Sequence, residues 1–495
     1  MSGLPQPLYR AAQVRELDRL AIEKCGIPGA TLMENAGHVA FDELCRRWPR
    51  ARDLAVVCGA GNNAGDGYVV ARLAHEAGRN VSVFQIGDGK RLRGDALAAF
   101  DALRRAGIKP AGLTAGVLEQ ADVIVDALLG TGLDRAVDGV WLEAIDAING
   151  SRRPVLAVDI PSGLNADTGA AMDVAVCAQA TVTFIGLKQG LFTGQGPACC
   201  GAIVFNDLQV PQEVYGHVNH EACRFDRRLV SRWLPPRSRI AHKGNYGHVL
   251  IVGGDHGMAG ALRMAGEAAA RTGAGLVTLA TRVAHAGNIA QARPELMCHG
   301  VETVSQLRQL MERASVVAIG PGLGRSEWAQ QLLATVIDSS LPLVVDADAL
   351  NGLAAEPATR GNWVLTPHPG EAGRLLHASA ADVQSDRFAA VRSLQQRYAG
   401  VVVLKGAGSL ICSGSGPLIV CEAGNPGMAS GGMGDLLTGI IAGLIAQHVE
   451  LPMAAALGTW LHAAAADAAA AAGERGLLAT DLLPYLRQQV NPIDP

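Results

Sequence analysis

Short apolar runs recur along almost the whole chain, each followed by a turn and then by a segment with helically spaced apolar residues. That alternation leaves few folds open. A run that is apolar at every position must be buried on both faces, which is the condition of a strand inside a parallel sheet. A parallel strand reaches its neighbour through a crossover, normally a helix. Runs at 54–57, 81–86, 123–125, 155–158 and 181–185 alternate with helical segments such as 67–77 and 94–106. They predict a doubly wound α/β sheet. Upstream, 14–23 and 31–47 read as helices, with Thr31 as N-cap of the second and Glu34 three residues on.

The rhythm breaks between Asp207 and Pro236, where Pro211, Pro235 and Pro236 sit among mixed charges. A boundary near Ala222 is expected there, giving domains 1–222 and 223–495. A second α/β series follows, with strands at 249–252, 276–280, 316–319, 343–345, 363–365, 401–404 and 410–412. Its helices include 259–272 and the alanine-rich 454–472. Two domains suit 495 residues, since single cores stop growing near about 250–300 residues. No short repeat relates the halves.

Composition narrows the function classes. A net charge of −4 argues against a general nucleic-acid binder. The 10 cysteines are scattered with no CxxC pair, which predicts reduced thiols and a cytoplasmic enzyme. Residues 1–10 hold no apolar signal core, and the apolar stretch 436–446 is far shorter than the about 20 residues a bilayer needs.

Three strand-end motifs mark the first half. Gly59, Gly61 and Ala64 satisfy the spacing of a dinucleotide fingerprint, in which glycines let backbone amides approach a phosphate. However, no acidic residue closes the second strand, which ends Val83-Phe84-Gln85-Ile86. Asn62, Asn63 and Asp66 instead offer oxygen ligands suited to a cation or a polar ring substituent. Asp126 ends another strand and opens the loop Ala127-Leu128-Leu129-Gly130-Thr131-Gly132-Leu133, and Asp159 ends a third before Ile160-Pro161-Ser162-Gly163. Carboxyl ends of strands line the site in such sheets, so the three loops should converge.

These motifs resemble the NAD(P)H-hydrate epimerase domain over roughly the first 220 residues. Ala64 departs from that family's pattern, which has Gly there. The resemblance implies that Asn63, Asp126 and Ser162 bind K⁺. It also implies that Asn62, Asn63, Ala64, Gly65 and Asp66, the loop Gly130, Thr131, Gly132, Leu133, Asp134, Arg135 and Ala136, and Asp159 contact a hydrated nicotinamide nucleotide. Epimerisation needs a proton acceptor and donor, and with Asp126 tied to an ion Asp159 is the expected acid/base.

In the second half the strongest signal is Gly427-Met428-Ala429-Ser430-Gly431-Gly432-Met433-Gly434-Asp435 before an apolar helix. Backbone amides there, with the helix N-terminus, form an anion hole suited to a transferring phosphoryl group. Asp435 can accept the proton of a substrate hydroxyl. No Walker A motif is present, so Lys405, followed by Gly406, Ala407, Gly408 and Ser409, is the expected second phosphate anchor. His368 lies between Pro367 and Pro369, in an expected rigid, extended loop.

With Gly320-Pro321-Gly322-Leu323-Gly324 and Thr366-Pro367-His368-Pro369-Gly370-Glu371, these segments resemble the ribokinase-type fold, and more closely ADP-dependent NAD(P)H-hydrate dehydratase, from about Ala222 onward. The resemblance implies that Ala261, Gly322, Gly324, His368 and Asp435 contact the hydrate, and that Lys405, Gly406, Ala407, Gly408, Ser409 and Gly434 hold ADP. Mg²⁺ is expected to accompany the nucleotide. A homo-oligomer with small-molecule substrates and no membrane partner is expected. A vitamin-type small-molecule kinase fused to a nucleotide-binding domain is the main alternative, and a nucleotide-sensing scaffold without turnover is a third.

Overall fold

Burial on both faces is what the apolar runs impose, and in the computed structural model all of them but 410–412 pair in parallel. Residues 4–491 are described. Residues 1–3 and 492–495, the outermost positions of the two expected domains, lie outside the described residues. The chain divides into two compact units between Cys223 and Arg224.

The first unit is built on a parallel sheet in the order Asn80–Gln85, Asp53–Cys58, Val123–Ala127, Val155–Val158, Ala180–Phe184, Ala202–Asn206. Chain direction across the sheet reverses between Asp53–Cys58 and Val123–Ala127. That reversal is a topological switch point, where loops part and leave a crevice at the strands' carboxyl ends. The loops stay close: a side chain on Gly59 would strike the Leu128 carbonyl.

In the second unit the order is Met297–Gly300, Leu276–Thr281, His248–Val252, Val316–Ile319, Leu343–Val345, Trp363–Leu365, Val401–Leu404, all parallel. Ser409–Cys412 and Leu418–Cys421 then add antiparallel strands. Here the switch point falls between His248–Val252 and Val316–Ile319. The helix Met433–Ala446, apolar after its first turn except for Thr438, lies against Ala259–Thr272, with Gly439 facing the Ala265 carbonyl and Gly443 facing Ala269. Small residues let the two backbones approach, which fixes where the first turn of Met433–Ala446 points.

Several boundaries differ from the sequence expectation. Thr31 is not a cap: the helix Gly29–Arg47 begins after Pro28, whose extended backbone makes the entry, and the Thr31 amide already bonds the Pro28 carbonyl at 2.9 Å. The helix expected from 67 begins at Asn62, so Asn62 to Asp66 form its opening turns rather than a loop. Strand 81–86 is Asn80–Gln85 and 181–185 is Ala180–Phe184. The last expected helix, 454–472, is Leu451–Ala469 followed by a 3₁₀ turn. Two edge strands lie outside the expected set: Met297–Gly300 is partly exposed and lacks an apolar run, and Ala202–Asn206 is partly exposed although 202–205 are apolar.

Trp363 anchors the second sheet. It is fully buried, and its indole N–H donates to the Tyr398 carbonyl at 3.1 Å. Trp363→Ala should destabilise the second unit by about 3–5 kcal/mol, read by denaturant unfolding.

Candidate active sites

The first site is a cavity of about 590 Å³ at the switch point of the first unit. Gly130, Thr131, Gly132, Leu133, Asp134, Arg135 and Ala136 line it, with Asn62, Asn63, Asp66 and Asp159. Ala64 and Gly65 do not. Because the motif is helical, those two positions rotate inward: Ala64 is fully buried and Gly65 faces Met33 and Ala96.

Asn63, Asp126 and Ser162 meet around Leu129. Ser162 Oγ lies 2.6 Å from Asp126 Oδ1 and accepts the Leu129 N–H at 2.7 Å, and Asn63 Nδ2 donates to the Leu129 carbonyl at 3.1 Å. The Ser162 N–H holds Asp126 Oδ2 at 2.8 Å. Burial nonetheless pushes the Asp126 carboxyl up to about 6, against the hydrogen bonds from Ser162 and Leu128. Among the described residues, Asn63 Oδ1 is buried with no hydrogen-bond partner. An orphaned amide oxygen beside a buried carboxylate and a hydroxyl is a donor set fit for a monovalent, oxygen-seeking cation.

Two residues of this cavity carry no sequence motif. Lys188 is almost wholly buried, and its ammonium is ion-paired with Asp159, 3.0 Å from Thr183 Oγ1 and 3.1 Å from the Phe184 carbonyl. Asp18 reaches the cavity from the helix Ala11–Glu23. Asp159 takes a left-handed backbone (φ +67°), unusual for a residue with a side chain. The Asp66 carboxyl is pushed well above its ordinary range by burial, then by Asp159 and Asp18, with Lys188 pulling it down.

The second site gathers at the carboxyl ends of the second sheet. Asp346, immediately after Leu343–Val345, is buried. Its Oδ1 accepts from Lys405 Nζ at 2.7 Å and its Oδ2 from Thr438 Oγ1 at 2.7 Å. Lys405 also lies 3.7 Å from Glu371. Lys405 therefore already has anionic partners, rather than standing free as a point charge for phosphate. Asp346 follows a strand like Asp126 and Asp159, so the same reading of strand ends would have found it.

Asp435 lies in the first turn of Met433–Ala446. Gly432 caps that helix with a left-handed backbone (φ +91°), a conformation suited to glycine. The first-turn amides have no partner within a helix and present partial positive charge. Gly434 leaves space beside them: an added Cβ would sit 3.3 Å from Lys405 Nζ and 3.4 Å from Asp346 Oδ2. Burial, then Asp346, raises the Asp435 carboxyl to about 7, while Lys405 pulls it down. A carboxylate poised near neutrality suits a general base.

The other expected residues surround this centre. Gly324 N–H donates to Asp348 Oδ2 at 2.9 Å, and Gly322 packs against Met258 and Ala261. His368 keeps the extended backbone expected between two prolines (φ −81°, ψ 168°) and ends the loop 366–368. It is the N-cap of the helix Pro369–Leu376, with Nδ1 accepting the Gly370 N–H at 3.0 Å, and it is exposed. Its backbone N–H donates to Glu371 at 2.8 Å, closing a capping box. Gly406, Ala407 and Gly408 turn the chain into Ser409–Cys412, and Ser409 Oγ bonds back to the Gly406 carbonyl at 3.0 Å.

Fold and sites define a two-domain α/β enzyme with a separate strand-end site in each half. Family comparison is specific to each half: residues 29–190 match the model of the YjeF-related protein N-terminus, and 249–488 match that of NAD(P)H-hydrate dehydratase. The chain is 51% identical to the bifunctional NAD(P)H-hydrate repair enzyme of Coxiella burnetii, covering 98% of this chain and 99% of that protein. It is 46% identical to the Escherichia coli K12 enzyme, with coverages of 99% and 95%. An ADP/ATP-dependent NAD(P)H-hydrate dehydratase from Bacillus subtilis, co-crystallised with ATP and Mg²⁺, superposes with a TM-score of 0.50 at 30% identity over 54% of this chain and 98% of that one. A ribokinase-like superfamily protein from Enterococcus faecalis gives 0.51 at 30% identity, over 55% and 98%. The chain belongs to the bifunctional NAD(P)H-hydrate repair enzyme family.

Removing Lys405 leaves Asp346 and Glu371 buried without their cation. Lys405→Met should destabilise the second unit by about 3–5 kcal/mol near pH 8. Glu371, already raised by burial and now without the lysine that pulls it down, would have a folded-state pKa above its unfolded one. The defect should shrink as the pH is lowered and it takes up a proton, which urea titrations at two pH values would show.

Proposed function

We propose that this protein restores hydrated nicotinamide cofactors. The first unit interconverts the R and S forms of NAD(P)H hydrate, and the second dehydrates the S form with ADP. The observation that carries the reading is Asp435: one carboxylate near neutrality, beside free helix-start amides, with Lys405 and Asp346 behind it.

The hydrate bears a hydroxyl on its reduced ring, and hydroxide is a poor leaving group. Asp435 accepts the hydroxyl proton as that oxygen attacks the terminal phosphorus of ADP. Amides of the Gly431–Gly434 turn stabilise charge on the transferring group, and AMP departs. The ring nitrogen then expels phosphate and the double bond returns. Elimination in the same site separates this chemistry from that of a kinase, which would release a phosphorylated product.

Asp346, Glu371 and Asp435 act on one lysine, and Asp348 acts on Asp435, an excess of negative charge with hard oxygens that fits Mg²⁺. When bound, Mg²⁺ screens nucleotide phosphate charge. In the first unit Asn63, Asp126 and Ser162 would hold K⁺, which supplies positive charge beside the nucleotide loop. Asp159 serves there as an acid/base. Ten free thiols fit a reducing compartment such as the cytoplasm, and among the described residues no helix is long and apolar enough to cross a membrane.

Purified protein, mixed NADH hydrates, Mg²⁺ and ADP should regenerate NADH absorbance. Asp435→Asn should lower that rate by about 10²–10⁴-fold. Accumulation of a stable phosphorylated hydrate would instead indicate a kinase. Asp435 works ionised, so the dehydration kcat should rise with pH through about 7. K⁺ should raise the melting temperature of the first unit above its value in choline salts, and Ser162→Ala or Asn63→Ala should abolish the difference.

A further inference from the structure

Asp18 stands on a helix, Ala11–Glu23, that carries none of the glycine-rich motifs. Val14 and Ile22, one turn to either side on the same face, line the cavity with it. A carboxylate set between two apolar residues on a site-facing stripe is unfavourable unless it has a partner or a task. Among the described residues, no side chain hydrogen-bonds to it or forms an ion pair with it. Its charge couples instead to the groups of the first site: Lys188 and Asp159 act on Asp18, and Asp18 acts on Asp66 and Tyr215. Arg15 and Asp95 also border the cavity. Burial raises the Asp18 carboxyl to about 6, with Lys188 pulling it down and Asp159 pushing it up. Asp159 is ion-paired with buried Lys188, whereas Asp18 is not, so two carboxyls of one cavity sit in different electrostatic settings. That division is how a site obtains an acid and a base from one residue type.

Building on the epimerase reading of the first unit, we propose that Asp18 is the second acid–base residue of epimerisation, giving a proton to the ring hydroxyl while Asp159 takes one from the incoming water. The Asp18 carboxyl protonates the hydroxyl, and the carbon–oxygen bond breaks with its electron pair leaving on water. The ring nitrogen's lone pair closes a carbon–nitrogen double bond. Water then attacks the same carbon from the other face, the double-bond pair returns to nitrogen, and the surplus proton passes to Asp159. One water leaves and one enters; one proton is given and one taken. Asp18 ends ionised and Asp159 protonated, which is the starting state of the reverse turnover. Lys188 is a positioning residue that fixes the Asp159 carboxylate.

The test uses the full chain with Mg²⁺ and ADP, supplied separately with R and S hydrates, with spontaneous epimerisation subtracted. Asp18→Asn should lower kcat on the R hydrate by about 10²–10⁴-fold with little change in KM, and leave the rate on the S hydrate unchanged. Asp18→Glu, which keeps the carboxyl, should retain part of that kcat. Wild type should lose R-hydrate rate as pH rises through about 6, and Asp18→Asn should lack that limb. Wild-type kcat and an unchanged pH profile in Asp18→Asn would overturn the role of Asp18, as would equal loss in both variants. A wild type that converts R hydrate no faster than buffer would overturn the epimerase reading itself.

Discussion

A lysine held by an aspartate lies behind each site, buried in the first unit and partly exposed in the second. Lys188 pairs with Asp159 in the first unit, and Lys405 with Asp346 in the second. Each aspartate immediately follows a central parallel strand, so the sheet places it at the carboxyl end, where doubly wound folds open. A carboxylate there is costly to bury alone, and the ammonium offsets much of that penalty. Once the pair is in place, other carboxyls can be packed around it. Asp18 and Asp435 then sit where burial raises them toward neutral pH, and burial pushes Asp66 well up from its ordinary range.

This arrangement links fold to chemistry. The switch point opens a crevice, the glycine turns let backbone approach it, and the packed apolar helix Met433–Ala446 aims its amides and Asp435 at one spot. Gly439 and Gly443 set the seat of that helix on Ala259–Thr272. Packing far from the reacting atoms therefore governs the alignment of the base.

Much of this was legible in the sequence. Continuous apolar runs marked the central strands, and carboxylates after them marked Asp126 and Asp159. Convergence of Asn63, Asp126 and Ser162 around Leu129 follows from the same rule. Edge strands such as Met297–Gly300 were hidden because one face is wet and the apolar run is missing. Glycines around Asn62 to Asp66 suggest a turn, yet the helix begins there and turns Ala64 inward. His368 between two prolines suggested extended chain, which its backbone keeps, but its role as cap of the helix opened by Pro369 was not visible in that pattern. Lys188 and Asp18 carried no motif at all. An aspartate on an amphipathic helix looks like a solvated residue until tertiary structure brings a cavity against it.

The central claim is that burial beside the lysine–aspartate pair holds the Asp435 carboxyl near neutrality at the second site. Site-specific ¹³C labelling and NMR titration of Asp435 in the intact protein would read this directly. The account predicts a midpoint at about 7. A midpoint in the ordinary range of an exposed aspartate, about 3.9, would contradict it.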